Sequence, residues 1–237
     1  QETCGGTNWC MVSAGTYHSL AIKTDGTLWS WGRNLCGVLG TNNTTCYSTP
    51  QQEVCGGTNW CMVSTGYHSS AIKTDGTLWS WGSNYCGRLG TDNTTCYSTP
   101  QQEACGGTNW CMVSSALVNT GGSHTSAIKT DGTLWSWGLN NLFGFVFYGN
   151  LGTNNTINYS TPQQEACSGT NWCMVSAGYR YASAIKTDGT LWSWGNSSNG
   201  QLGLNNTICY STPQQEVCGF TDWNEIYLRG TIDTTRF

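Results

Sequence analysis

One phrase, Ala-Ile-Lys-Thr-Asp-Gly-Thr-Leu-Trp-Ser-Trp-Gly, stands four times in this chain, beginning at Ala21, Ala71, Ala127 and Ala184. A second phrase, Tyr-Ser-Thr-Pro-Gln-Gln-Glu, also stands four times, with its prolines at Pro50, Pro100, Pro162 and Pro213. Each unit opens with Cys-x5-Cys around a Trp, and the spacings between opening cysteines are 51, 50, 62 and 51 residues. Self-similarity at such a period means stacked units, each burying its face on a neighbour. The chain therefore reads as a single repeat domain over 1–237, with units at 4–54, 55–104, 105–166 and 167–217. A partial unit, 218–237, is less than half built.

Inside one unit the pattern predicts four short strands. Trp9 to Ser13 is an apolar run ended by Ala14-Gly15, and Ser19 to Lys23 is the second strand. Thr24-Asp25-Gly26 is a tight turn. Thr27 to Trp31 alternates, with Thr27, Trp29 and Trp31 on one face and Leu28 and Ser30 on the other. A long loop punctuated by Gly32, Gly37 and Gly40 leads to a strand near Tyr47 to Gln51, which Pro50 marks as an edge. Helical periodicity is absent. The fold class is all-β: a β-propeller-like array of four four-stranded blades plus a partial C-terminal unit.

The run Ala-Gly-x-x-His-Ser-x-Ala-Ile-x-x-Asp-Gly-x-Leu-Trp-x-Trp-Gly-x-Asn, followed by Gly-x-Leu-Gly, resembles the regulator-of-chromosome-condensation repeat. That resemblance covers essentially the whole chain and implies the same blade layout, usually with more blades than the four and a fragment here. Nuclear members of the family act as nucleotide-exchange factors for a small GTPase, and secreted bacterial members include a β-lactamase inhibitor. Fold alone does not choose among such roles.

The cysteines narrow the setting. Local pairs recur at Cys4 with Cys10, Cys55 with Cys61, Cys105 with Cys111, and Cys167 with Cys173. A second set, Cys36 with Cys46 and Cys86 with Cys96, brackets the loop after the third strand. Asn199 stands where Cys36 does, and Asn224 stands where the second cysteine of the fifth unit belongs. Cys209 and Cys218 are thus both left over, and the expectation is that they pair. Zinc is the rival reading, but zinc sites want close pairs converging, and only three histidines are present. Seven disulfides with no metal and no cofactor are expected, which places the protein outside the reducing cytosol and weighs against the nuclear exchange-factor role. Gln1 opens directly into the first repeat, so the expectation is an extracellular, secreted chain whose leader is not part of this sequence.

Only 9% of residues are charged, against about 25% in ordinary domains, and the net charge is −4. Nine Lys plus Arg, thinly spread, exclude a nucleic-acid groove or a polybasic membrane patch. No apolar run approaches the ~18 residues of a membrane span. Seven Asn-x-Ser/Thr sequons occur at Asn42, Asn43, Asn93, Asn154, Asn158, Asn196 and Asn205, most of them in one loop of successive repeats. They predict glycans gathered on one face.

No constellation reads as catalytic, and an enzyme is not expected. His18, His68 and His124 share one repeat position, with Tyr181 in their place in the fourth repeat, and read as core hydrogen-bonding groups rather than ligands. Lys23 with Asp25 and its three copies reads as turn chemistry. The Trp29 and Trp31 pairs read as blade-packing anchors, with sugar stacking as the alternative.

Repeat three differs from the others. It gains residues over Ser115 to Gly122, and again between Trp137 and Pro162, where Leu142, Phe143, Phe145, Val146, Phe147 and Tyr148 lie. Both insertions are expected on one face. Phe143, Phe145 and Phe147, together with Trp223, Ile226 and Tyr227 of the partial unit, are the candidate interface residues, the alternative being a plug over the chain's own blades.

The leading functional reading is a secreted structural or interaction protein, the building unit of an extracellular filament, appendage or surface coat. Its subunits would join head to tail as a homo-oligomer through the unfinished fifth unit. The alternative is a soluble propeller that binds glycans or a protein, as a lectin or an inhibitor does.

Overall fold

A computed structural model describes residues 8–116, 123–142 and 146–226, without the side chains of 142, 146 and 147. Four four-stranded antiparallel sheets follow one another along the chain. The first contains β1 (Trp9–Ala14), β2 (His18–Lys23), β3 (Leu28–Gly32) and β4 (Tyr47–Gln52). The second contains β5 (Trp60–Thr65), β6 (His68–Lys73), β7 (Leu78–Gly82) and β8 (Tyr97–Gln102). The third contains β9 (Trp110–Ser115), β10 (His124–Lys129), β11 (Leu134–Gly138) and β14 (Tyr159–Gln164). A small ribbon of β12 (Asn141–Leu142) and β13 (Val146–Phe147) rises from its loop. The fourth contains β15 (Trp172–Ala177), β16 (Tyr181–Lys186), β17 (Leu191–Gly195) and β18 (Tyr210–Gln215).

Sequence dictates each blade locally. Asp25 Oδ1 accepts from Thr27 N at 3.0 Å and from Thr27 Oγ1 at 2.7 Å, and Trp29 Nε1 donates to Thr27 Oγ1 at 2.9 Å. The hydrogen bonds from Thr27 hold the Asp25 carboxyl below its usual range. This turn recurs at Asp75, Asp131 and Asp188. Trp9 meets Trp29 and Trp31 edge-on at 6.2 and 6.3 Å, and the same triad recurs in every blade. Such contacts add to area burial.

Blades pack in chain order, with β1, β5, β9 and β15 side by side and the proline strands outermost. Leu20, Ile22 and Leu28 of the first blade form one cluster with Trp60, Val63 and Trp81 of the second. Two equivalent clusters join the later blades. Gly26 has φ +77°, and a Cβ there would collide with the Thr58 carbonyl of the next blade. The Asp-Gly turn is therefore a blade junction as well as a hairpin.

A buried carboxylate clasps each junction. Glu103 is 2% exposed; its Oε2 accepts from Cys105 N at 2.6 Å, and its Oε1 accepts from Gly107 N at 2.6 Å and Trp110 Nε1 at 3.1 Å. Glu53 and Glu165 repeat this pattern, and Glu216 holds Cys218 N and Phe220 N.

The partial unit continues the array. Trp223 N donates to Gly189 O at 3.3 Å, as Trp172 N does to Gly132 O at 3.0 Å. Ile226 N donates to Met174 Sδ, as Val175 N does to Met112 Sδ, both at 3.4 Å. Through Ile226 the tail thus lies against the fourth blade. Trp223 stands at the position that opens the first strand in the other units, although no strand forms over 218–226. No helix among the described residues is long and apolar enough to cross a membrane.

Candidate binding face

Loops after the first and third strands of each blade emerge on one side, and the three described arginines all lie there. Arg33 sits 5.1 Å from the Tyr17 ring, and Arg33 N donates to Tyr17 O at 2.9 Å. Arg88 lies between Tyr67 and Tyr85 at 5.7 and 5.8 Å, with Nε donating to Tyr85 O at 2.9 Å. Arg180 lies between Tyr179 and Tyr148 at 4.6 and 5.2 Å, with Nη1 donating to the Tyr148 hydroxyl at 3.3 Å. Burial lowers the Arg88 guanidinium from its ordinary value. Cation–π stacking of this kind fixes guanidinium planes at little entropic cost. A shallow cavity lined by Tyr17, His18, Arg33, Leu35, Val38, Gly66 and Tyr67 opens on the same side. Tyr17, Leu35 and Tyr85 are exposed around it.

Charge separates across the molecule. Asp25, Asp75, Asp131 and Asp188 occupy hairpins on the opposite side, beside lysines that cover tryptophan rings, such as Lys23 Nζ at 4.1 Å from Trp29. Asp92, in an outer loop, is the acidic residue that shares the arginine side among the described residues.

Below the arginines runs the histidine row. His18 Nε2 meets Ser69 Oγ at 2.9 Å, and His68 Nε2 meets Thr125 Oγ1 at 2.7 Å. Ser69 and Thr125 in turn donate to Val38 O and Arg88 O, the loop backbone beneath the face. Burial pushes His18 down to about 4 and His68 well below 6.5. These are the core hydrogen-bonding groups that the repeat pattern implied.

Other predicted sites fall differently. The structure links none of the thirteen cysteines it describes, and Cys4 lies outside the described residues. Cys10, Cys61, Cys111 and Cys173 each point at an isoleucine carbonyl of the adjoining strand. Cys55, Cys105 and Cys167 are exposed beside the glutamate clasps, and burial raises their thiols. Cys36 lies close to Cys96 of the next blade, and burial together with Cys96 pushes its thiol up. Cys46 and Cys209 instead accept from Asn34 N and Ser197 N at 3.4 Å. The expected pairs Cys36 with Cys46, Cys86 with Cys96, and Cys209 with Cys218 are not joined in the structure, and the loop that carries Cys36 overhangs the next blade.

Sequons divide into two kinds. Asn42, Asn154 and Asn205 are exposed at turn positions with φ of 56, 58 and 55°. The amides of Asn43 and Asn93 donate to Thr41 O and Thr91 O, Asn158 accepts from Asn140 N and Asn141 N, and Asn196 is buried. Trp81, Trp137 and Trp194 are fully buried, while their partners Trp79, Trp135 and Trp192, and both Trp29 and Trp31 of the first blade, are partly exposed. Phe143, Phe145 and Tyr227 lie outside the described residues, as does the Phe147 side chain.

The blades define a propeller of known kind. Models of the regulator of chromosome condensation (RCC1) repeat match residues 12–38, 62–88, 131–185 and 188–222. The chain belongs to this repeat family. It is 31% identical over 206 residues to the ultraviolet-B receptor UVR8 of Arabidopsis thaliana, a match covering 86% of this chain and 45% of that protein. It is 32% identical over 92 residues to the mitochondrial RCC1 domain-containing protein RUG3 of the same plant, covering 38% of this chain and 21% of that protein. The chain thus spans less than half the length of these curated relatives. Human WBSCR16 shares its fold with a TM-score of 0.76 at 20% identity, covering 94% of this chain and 56% of that one. Prp20p of Saccharomyces cerevisiae, described with its binding to Gsp1p and histones, gives 0.74 at 18%, covering 90% and 52%.

Proposed function

We propose that this chain is a protein-interaction propeller whose arginine–tyrosine face takes an acidic segment of a partner protein. The carrying observation is the placement of Arg33 and Arg180 on one side, each held against tyrosine above the buried Arg88, with Asp92 as the acid beside them. Stacked arginines are prepared for bidentate carboxylate contacts, and exposed tyrosines supply contact area around them. Protein binding by Prp20p agrees in kind. Selection of displayed peptides on the intact chain tests this. Acidic sequences should be enriched, and an Arg33→Glu/Arg180→Glu variant should bind them at least about tenfold more weakly. Peptides without acidic residues, or equal binding by the variant, would overturn the reading.

A structural role in an extracellular assembly is a second reading, supported by the uncovered side of the first blade. Val12 there is 65% exposed, whereas its counterparts are buried by a preceding blade. A surface of that shape suits a further repeat unit, including one from another copy. Mass photometry separates the two: discrete monomers over a wide concentration range leave only the binding role.

A further inference from the structure

The outer loop of each blade rests on the outermost strand of the next. A Cβ on Gly37 would collide with the Ser98 backbone, and Asn42 N donates to Ser98 O at 2.9 Å. Gly87 approaches Ser160 and Gly149 approaches Ser211 in the same way, with Asp92 N and Asn154 N donating to those carbonyls. Beside each approach stand the residue before the glycine and the residue two before the serine. At the three junctions these pairs are Cys36 with Cys96, Cys86 with Asn158, and Tyr148 with Cys209. Asn158 Nδ2 lies 3.7 Å from Cys86 Sγ. Cys36 and Cys96 flank the Gly37–Ser98 approach, near enough for Cys96 to add to burial in raising the Cys36 thiol. Both loop cysteines also hold left-handed backbone, with φ of 56 and 57°, where glycine or asparagine sits more easily.

We infer that Cys36 and Cys96 form a disulfide site that staples the first blade to the second, and that the staple occurs at this junction alone among the three because only here are both positions cysteine. Cys36 is partly exposed and Cys96 exposed, so a small oxidant reaches them. A low-molecular-weight disulfide such as glutathione disulfide supplies the oxidation. One protein thiolate attacks a sulfur of the reagent, forming a mixed disulfide and expelling one small thiol. The second protein thiolate then attacks the protein sulfur of that mixed disulfide and expels the other small thiol. Two protein thiols are oxidised, the reagent's S–S bond is reduced, and the two protons leave on the expelled thiols. Such a bond spans two blades, unlike the within-repeat loops that the sequence suggests.

Peptide mapping of the full chain decides this. After equilibration with glutathione disulfide, alkylation and peptic digestion without reduction, the peptides holding Cys36 and Cys96 should be recovered cross-linked. Recovery of Cys36 with Cys46 or Cys86 with Cys96, or of both residues alkylated, overturns the inference. An Asn158→Cys variant should gain a second cross-link, between positions 86 and 158. Persistence of Cys86 as a free thiol there, or its bonding to Cys96, counts against the junction geometry. Denaturant midpoints give an independent reading: oxidation should raise the wild-type midpoint and the rise should vanish in Cys96→Ser. An equal rise in Cys96→Ser would assign the effect to other cysteines.

Discussion

The first and second blades begin with the same five residues, Trp-Cys-Met-Val-Ser, and fold them into the same strand, yet those strands carry different energies. Val12 is 65% exposed and Val63 2%; Trp9 and Trp31 are half-exposed, while Trp60 is 2% and Trp81 0% exposed. The tryptophan triads scarcely differ, with centroid distances of 6.2 and 6.3 Å. Blade geometry is therefore internal, set by turns and register, and burial is external, given by the preceding blade. Stability in such an array is a sum of unit terms and nearest-neighbour terms, and the first blade lacks one neighbour term among the described residues.

Truncating matched residues should expose that missing term. Trp81→Ala removes a buried indole that donates to Val38 O at 2.8 Å, and should cost about 3–5 kcal/mol in denaturant unfolding. Trp31→Ala should cost less than about half as much, because its ring already meets solvent. Equal losses would mean that something covers the first blade.

Acid should separate the blades by their histidines. His18 is held neutral down to about 4 and His68 well below 6.5, while the unfolded chain protonates both near 6.5. In that interval the unfolded state binds more protons, so stability is complete above about pH 6.5 and falls as the pH drops toward 4. His18 alone accounts for about 3 kcal/mol of that loss. The fourth blade has Tyr181 there and adds nothing to the slope. Urea midpoints against pH should flatten in a His18→Gln/His68→Gln variant, and an unchanged slope would assign the acid sensitivity elsewhere.

The clasp glutamates give a smaller contrast. Glu103→Ala strands two backbone N–H groups and an indole N–H, at a cost of about 2–3 kcal/mol. Glu216→Ala strands only the two backbone groups of the terminal unit and should cost less. A thermal scan that ranks them the other way would show the tail to be the stronger junction. The mildest pair is Val63→Ala, at about 2 kcal/mol, against Val12→Ala, within about 0.5 kcal/mol of wild type.

Most of the blade was legible because it is written locally. Asp25-Gly26, the alternation around Trp29 and the proline of the outer strand placed every strand of the first unit within a residue or so of β1 to β4. What crosses from one unit to the next was not legible. Glu53 reads as the end of a polar phrase, yet the groups that donate to it lie in the following repeat. Cys36 reads as the partner of Cys46 because a repeat pattern carries no information about overhang. The arginine face left no periodic trace, since Arg33, Arg88 and Arg180 occupy three different positions of the unit and only folding gathers them.

The overlap of each loop and turn with the following blade bears on how such a chain can change length in descent. Gly26 against Thr58, Gly76 against Thr108, Gly132 against Thr170 and Gly189 against Thr221 are the same contact written four times, with its two halves in successive units. Unequal recombination that duplicates or deletes one whole period, cut anywhere within it, joins one half to another it already fits. Repeat number is then free to drift without any compensating substitution. The departures in repeat three and the unevenly placed arginines have no such freedom, because a copied unit brings the wrong loop to the shared face. Drift in length and constancy of that face are opposed, and sequences of different repeat number descended from this one should differ first where the units are most alike.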